Sequence, residues 1–527
     1  MQFQQDFKRR SEEEYIKDQG LIIDYDEIAR KGKMSKEEAL VSKWYGVYQS
    51  RQAGDHMARI VIPGGKITSS QARKIVEVSD KYSTGLLSVT TRQAIQLHKL
   101  KIGILPELMR DIAPEGLSTY HGCGDVTRTI AACPLAETCK YRRLNVLPHA
   151  IATMKYLTSC RDLDNLPRKF KITYSGCEAN CAQPFMNCLG IVAITATLNG
   201  VQQNGFRVII GGGMGWRAYV GKELFGFVPE QSIHAVCRAI ALFYRDTGDR
   251  FNRTTSRLKV VVDSLGIKEC RKVVLHNLSS DGQKIEQIIL DHVEDTDSRI
   301  PPARPLTEQD PVGTDNTITV RIIIPKGELR SIQLLRIAEL SEMYGNQRIY
   351  TDNRQNISLH GVEPLNVPKV KEEISKLGFS TAGFFGLTDI VSCVGMTYCP
   401  KAVSTTHQLF DLLLPIVSLE KYKSIRYRGI VNITGCPNSC SPYRIADIGF
   451  RGMRVREETG SVEGYVMVIA GSETDHGKQL GEFKTADCPK IVTAILDTFL
   501  NESNKTETLG EFVNRKGVDY IKEIIYR

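Results

Sequence analysis

The chain has 527 residues, 42% of them apolar and 24% charged, with a formal net charge of +9; this predicts roughly two to four domains with sizeable cores. The basic residues are scattered, with no Lys/Arg tract and no aromatic–basic interleaving, which argues against nucleic acid and suits an acidic protein partner or an anionic substrate. FDLLLPIVSL (410–419) is the longest apolar stretch; it is broken by Pro415 and falls far short of the ~20 residues that span a bilayer.

Residues 1–44 read as an N-terminal extension. It opens MQFQQDFKRRSEEEYIKD, charged throughout and without a signal-peptide core, so the expectation is a cytoplasmic protein with no membrane contact. Residues 45–118 read strand, helix, strand. ARIVIPGGKIT (58–68) leads into SSQARKIVEVSDKY (69–82), opened by serine at its cap and apolar at Ala72, Ile75 and Val76. The strand RQAIQLHKL (92–100) follows. Residues 119–290 carry cysteines: Cys133 and Cys139 in CPLAETC, then Cys177 and Cys181 in YSGCEANC. A buried-looking strand then runs into the glycines of FRVIIGGGMG (206–215). That run fails the G-x-G-x-x-G spacing because Trp216 takes the last place, so close backbone approach at a strand end is the better reading.

After an acidic, proline-rich linker (291–317) the same order returns. VRIIIPKGELR (320–330) and DNRQNISLH (352–360) fall in a second strand–helix–strand unit, 318–380. Cys393 and Cys399 in CVGMTYC, then Cys436 and Cys440 in ITGCPNSC, fall in 381–527. Cys393 lies 260 residues beyond Cys133, Cys436 lies 259 beyond Cys177, and Arg354 lies 262 beyond Arg92. Landmarks in one order at a nearly constant offset mark a duplication. The expected fold is α+β, two copies of one unit related by a pseudo-two-fold axis, with a cofactor cleft at their shared interface.

Fourteen cysteines are many for a reducing compartment, where clustered thiols more often hold metal or do chemistry than form disulfides. Each unit has a complete four-thiolate set, C-x5-C then C-x3-C. Zinc is one occupant, although x5 is an atypical zinc spacing. A [4Fe–4S] cluster, one thiolate per iron, is the favoured one. The glycine before each second pair suits a turn whose N–H groups point at cluster sulfides. Cys123, Cys160, Cys188, Cys237, Cys270 and Cys488 lack the pattern and read as buried small hydrophobes.

With RIVIPGG, TTRQAIQLH, LPRKFK, GGGMG and C-x5-C followed by TGCPNSC in place, the chain resembles the siroheme-dependent sulfite and nitrite reductases from about Tyr45 to Leu500. The resemblance implies a ferredoxin-like half plus a cluster/siroheme domain in each unit, and a siroheme and [4Fe–4S] cluster sharing the last C-x3-C thiolate, here Cys440 and, by repetition, Cys181. It also implies substrate-holding cations: Arg59, Arg128, Lys169 and Lys171. Arg92 falls at a position that helps hold siroheme carboxylates. Arg354, Arg321 and Arg428 are its second-unit counterparts of Arg92, Arg59 and Lys169, and Gly212 and Gly213 of GGGMG join the cofactor-binding set.

Two departures follow. Single-chain members keep the cluster cysteines in the second half alone, whereas this chain keeps both sets. The cations are not kept twice: Arg128 maps to Thr388 and Lys171 to Ile430. If the halves face each other, the Cys393/Cys399/Cys436/Cys440 set faces the four cations and carries the catalytic siroheme. The Cys133/Cys139/Cys177/Cys181 set then faces a cation-poor pocket, as a relay or a silent centre. Two clusters and one or two sirohemes are expected. Lys171, commonly asparagine in resembling nitrite reductases, favours sulfite over nitrite. With no flavin or nicotinamide fingerprint, electrons are expected from an external acidic donor such as ferredoxin. A non-catalytic two-cluster electron-transfer subunit is the rival, and it leaves the cation set unexplained. The sequence is silent on oligomeric state, and a homo-oligomer is compatible with it.

Overall fold

The computed structural model describes residues 10–20, 22–301, 309–458 and 460–526; parts of the N-terminal extension and of the linker read above lie outside these. Four sheets form two kinds of layer.

The strand–helix–strand units build one body, not two. Strands Val47–Gln49, His56–Ile60, Leu86–Val89 and Ile95–Leu100 make a sheet whose last member, Glu328–Arg330, comes from the second unit. Strands Ile318–Ile322, Arg348–Thr351 and Ile357–Val362 make the other, completed by Lys66–Thr68 of the first unit. Each unit thus lends a strand to its twin. Helices Ser69–Tyr82 and Ser331–Tyr344 pack together over a single core containing Ile60, Ile75 and Leu97 with Ile322, Ile337 and Leu359. The first helix is capped by Thr68 and not by a serine: its hydroxyl accepts from Gln71 N while the Gln71 side chain accepts from Thr68 N, a capping box.

The two cysteine-bearing domains each hold a five-stranded mixed sheet over its own core. In the first, Ala131–Ala132, Ile172–Ser175 and Leu189–Leu198 run parallel, then Val201–Ile210 and Lys222–Pro229 continue antiparallel. Val391–Ser392, Val431–Thr434, Ile448–Glu457, Gly460–Ile469 and Lys478–Lys484 repeat this. In both, C-x5-C leaves the carboxyl end of one parallel strand and C-x3-C leaves the carboxyl end of its neighbour. The register closes the pair: Cys133 N donates to Tyr174 O at 2.8 Å and Cys393 N to Ile433 O at 3.1 Å. Ligand sites gather at such strand ends.

The linker is no loose tether where described. Gly313 bridges Cys139, Thr314 N donates to Thr138 O, and Arg143 pairs with Asp295 at 2.6 Å, so it straps the first C-x5-C loop. No helix among the described residues is long and apolar enough to cross a membrane.

Candidate functional site

The four thiols of each unit converge. In the first, Cys133 neighbours Cys181, and Cys139 neighbours Cys177. In the second, Cys440 acts on Cys393, Cys399 and Cys436 alike. Backbone N–H groups meet the sulfurs two residues on in both copies: Tyr141 for Cys139, Ala179 for Cys177, Lys401 for Cys399 and Asn438 for Cys436. Gly435 N also donates to Cys393 Sγ at 3.2 Å. A Cβ on Gly435 would sit 3.0 Å from Ser404 O, so glycine there is set by close approach. Among the described residues no three His, Cys, Asp or Glu side chains are spaced to grip one metal ion. The donor set and its N–H groups fit a [4Fe–4S] cluster.

Cys440, exposed unlike its partners, borders a cleft between the halves. Thr91, Arg92, Lys169, Lys171 and Arg257 of the first half line it, facing Asn438, Ser439 and Cys440 of the second. Thr91 Oγ1 donates to Cys440 O at 2.9 Å across the interface, and its counterpart Asn353 Nδ2 donates to Cys181 O at 2.9 Å. The halves therefore do face each other crosswise.

The cleft is cationic. Burial brings the Lys169 ammonium down to about 7 and Lys171 well below its usual range; neighbouring cations add to this and Cys440 opposes it. Neither ammonium has a carboxylate partner among the described residues. Arg92, lowered to about 9 by burial, donates to Thr129 O (2.5 Å), Ile172 O (2.7 Å) and Asn187 Oδ1 (3.1 Å). Arg59 and Arg128 lie beside Arg92 but outside the lining, both donating to Gly122 O, at 2.9 and 3.1 Å. The Nε atoms of Arg59, Arg92 and Arg257 are buried without a hydrogen-bond partner among the described residues. Such unspent donors fit a polycarboxylate macrocycle and an oxyanion.

The family models match both halves. The ferredoxin-like half domain of nitrite/sulfite reductases covers residues 48–114 and 311–377, and the nitrite and sulphite reductase 4Fe-4S domain covers 123–281 and 386–527. This chain belongs to the nitrite and sulfite reductase family. An assimilatory ferredoxin-dependent nitrite reductase of Haloferax mediterranei is 27% identical, over 91% of this chain and 86% of that one. A chloroplastic ferredoxin–nitrite reductase of Arabidopsis thaliana is 28% identical over 89% and 80%. A ferredoxin sulfite reductase of Mycolicibacterium paratuberculosis is 23% identical over 91% and 85%. In fold the chain resembles the NirA protein of Mycobacterium tuberculosis, with a TM-score of 0.83 at 21% identity over 97% of this chain and 96% of that one. Siroheme and [4Fe–4S] chemistry come with the family.

Three sequence expectations need correction. Arg428 is not in a cleft: it donates to Glu507 O, Ser503 Oγ and Asn504 O, and its guanidinium lies 4.6 Å from the Phe499 ring, so it fastens the end of helix Cys488–Glu502. Gly212 and Gly213 do not line the cleft, whereas Met214 does. A Cβ on Gly212 would meet Phe185 O, as the strand-end reading implies. Cys188 is buried in the core as expected but is not merely apolar: burial raises its thiol, and Arg257, whose Nη2 donates to it at 3.4 Å, with nearby Lys171 outweighs this and draws it below its usual range. Arg257 and Lys259 escaped the sequence reading. Lys259 donates to Met214 O at 2.9 Å and to Gly213 O, which holds the glycine run against the cleft. No motif or spacing singled them out, because they reach the site from a helix start some ninety residues beyond LPRKFK.

Proposed function

We propose that this chain reduces sulfite to sulfide by six electrons at a siroheme that shares the Cys440 thiolate with a [4Fe–4S] cluster. The observation that carries this is the crosswise cleft, in which Cys440 meets Lys169, Lys171, Arg92 and Arg257. Siroheme coupled to a cluster supplies electrons one at a time to a bound oxyanion. The protein's share is electrostatic and protonic. Arg59 and Arg128, tied to Gly122 O beside Arg92 and behind the lining, add fixed positive charge that favours an anion in the cleft. Lys169, brought to about 7, gives up a proton near neutral pH as an oxygen departs as water, and Lys171 keeps a second nitrogen beside it. Arg92 and Arg257 hold macrocycle carboxylates. Each four-cysteine set takes a [4Fe–4S] cluster, two per chain. The positive net charge suits an acidic donor of the ferredoxin class, and the sequence suits a cytoplasmic setting.

Nitrite is the second reading, favoured by several relatives being nitrite reductases. Steady-state assays with both anions and reduced ferredoxin decide between them. We expect kcat/KM for sulfite to exceed that for nitrite at least tenfold, and Lys171→Asn to move that ratio toward nitrite; a higher value for nitrite in the unaltered enzyme would overturn the choice.

A further inference from the structure

The duplication sets the cleft at Cys440 against a mirror position at Cys181, and the two differ in what fills them. Thr90 and Thr129 near Arg92 become Asp352 and Asp389 near Arg354, and Lys171 becomes Ile430. Asp389 takes over the guanidinium: Arg354 Nε donates to Oδ2 at 2.5 Å, both groups are 1% exposed, and Arg354 Nη2 also donates to Asp389 O. Asn356 Nδ2 donates to Asp389 Oδ1 at 2.8 Å and Phe385 N to Oδ2 at 2.9 Å, so the carboxylate is saturated. Asp352 lies close by, raised to about 6 by burial and by Asp389. The Arg321 guanidinium, near Cys181, is 4.1 Å from the Phe384 ring, and that of Arg354 is 5.3 Å from Phe385. An anionic macrocycle entering here would have to open a buried ion pair and set its carboxylates beside two buried acids, an unfavourable exchange.

The first clamp nevertheless has all four thiols together, with N–H groups at Cys139 and Cys177 as at Cys399 and Cys436 of the second. It also reaches the catalytic cleft: Ala182 and Gln183, directly after Cys181, line it together with Cys440, as does Asn353, which holds Cys181 O.

We propose that the Cys133/Cys139/Cys177/Cys181 clamp carries a [4Fe–4S] cluster without siroheme, the mirror pocket being closed by Arg354–Asp389, and that this cluster relays electrons into the cleft. Each electron leaves a reduced one-electron iron–sulfur donor and takes the first cluster from the 2+ to the 1+ state. It then moves to the Cys440 side, and the first cluster returns to 2+. The inference rests on the function proposed above. Iron, acid-labile sulfide and extracted siroheme in the purified full chain test both separately: about nine irons, about eight sulfides and one siroheme per chain are expected. Two sirohemes with about ten irons would overturn the closed pocket, and about five irons would overturn the first cluster. No siroheme at all would sink the proposed siroheme-dependent function instead. Cys177→Ser should lose about four irons while the siroheme absorption band is unchanged, with ferredoxin-driven turnover at least tenfold lower. Should that variant not fold, electron paramagnetic resonance of the reduced unaltered enzyme decides: signals from two clusters support the relay, and a single cluster signal overturns it.

Discussion

Neutral oxygens of Thr129, Ile172 and Asn187 hold the Arg92 guanidinium, which leaves its charge for a ligand, whereas Asp389 spends the charge of Arg354 inside the protein. One substitution between the copies, threonine to aspartate two residues ahead of the matching strands, turns an arginine proposed to hold a ligand into one paired inside the protein. The consequence is measurable. Arg354→Ala leaves a buried carboxylate unpaired and should cost about 3–5 kcal/mol in denaturant unfolding, with siroheme content unchanged. Arg92→Ala strands no opposite charge; it should cost less stability and instead lower the siroheme retained on purification. The arginine positions were legible in the repeat, but their roles were not. Sequence spacing aligns residues, and only the neighbours brought up by the fold decide whether a charge is free.

At the scale of elements, the two segments that carry the cations proposed for the substrate side are zipped together. Arg128 N donates to Phe170 O at 2.8 Å, Phe170 N to Val126 O at 3.0 Å and Leu166 N to Asp125 O at 2.9 Å. Asp125 pins the pair from beneath, bonded to Arg253 (2.8 Å), Arg168 (3.2 Å) and Lys17 (3.3 Å). Lys17 comes from helix Glu12–Asp18 of the extension, a segment to which the sequence assigned no role. Burial alone would raise the Asp125 carboxyl; the three cations outweigh it and hold the carboxyl well below the usual carboxylate range. A depressed folded-state value means stability that is complete above the unfolded value near 4 and is lost as pH falls toward the folded one. Unfolding free energy measured from pH 6 down to pH 3 should therefore drop more steeply in the unaltered protein than in Asp125→Asn. Equal slopes would remove Asp125 from this role. The extension was illegible because the buried Lys17 looks, in sequence, like any exposed lysine.

At the scale of the molecule, the reciprocal strands Lys66–Thr68 and Glu328–Arg330 make the two ferredoxin-like halves one cooperative unit. Residues 1–300 alone would lack the Glu328–Arg330 strand and expose the helix face that meets Ser331–Tyr344. We expect this fragment to be unable to unfold cooperatively by circular dichroism, while in the full chain the two halves melt together; an independent sharp transition in the fragment would contradict this. The same interlock fixes the crosswise clefts, since it places each clamp opposite the other unit's cations.

The sequence by itself determined the duplication, the two four-cysteine sets, the α+β character and the family, because each is written as residue types at short, repeated spacings. Tertiary structure alone decided which cations converge on Cys440, that Arg428 fastens a helix end, that Arg257 lines the site while bonded to Cys188 behind it, and that Asp389 pairs with Arg354 at the mirror position. These depend on burial and on partners drawn from distant segments. A charge is available to a ligand only where no oppositely charged group of the fold has reached it first, and the order of residues along the chain does not record that.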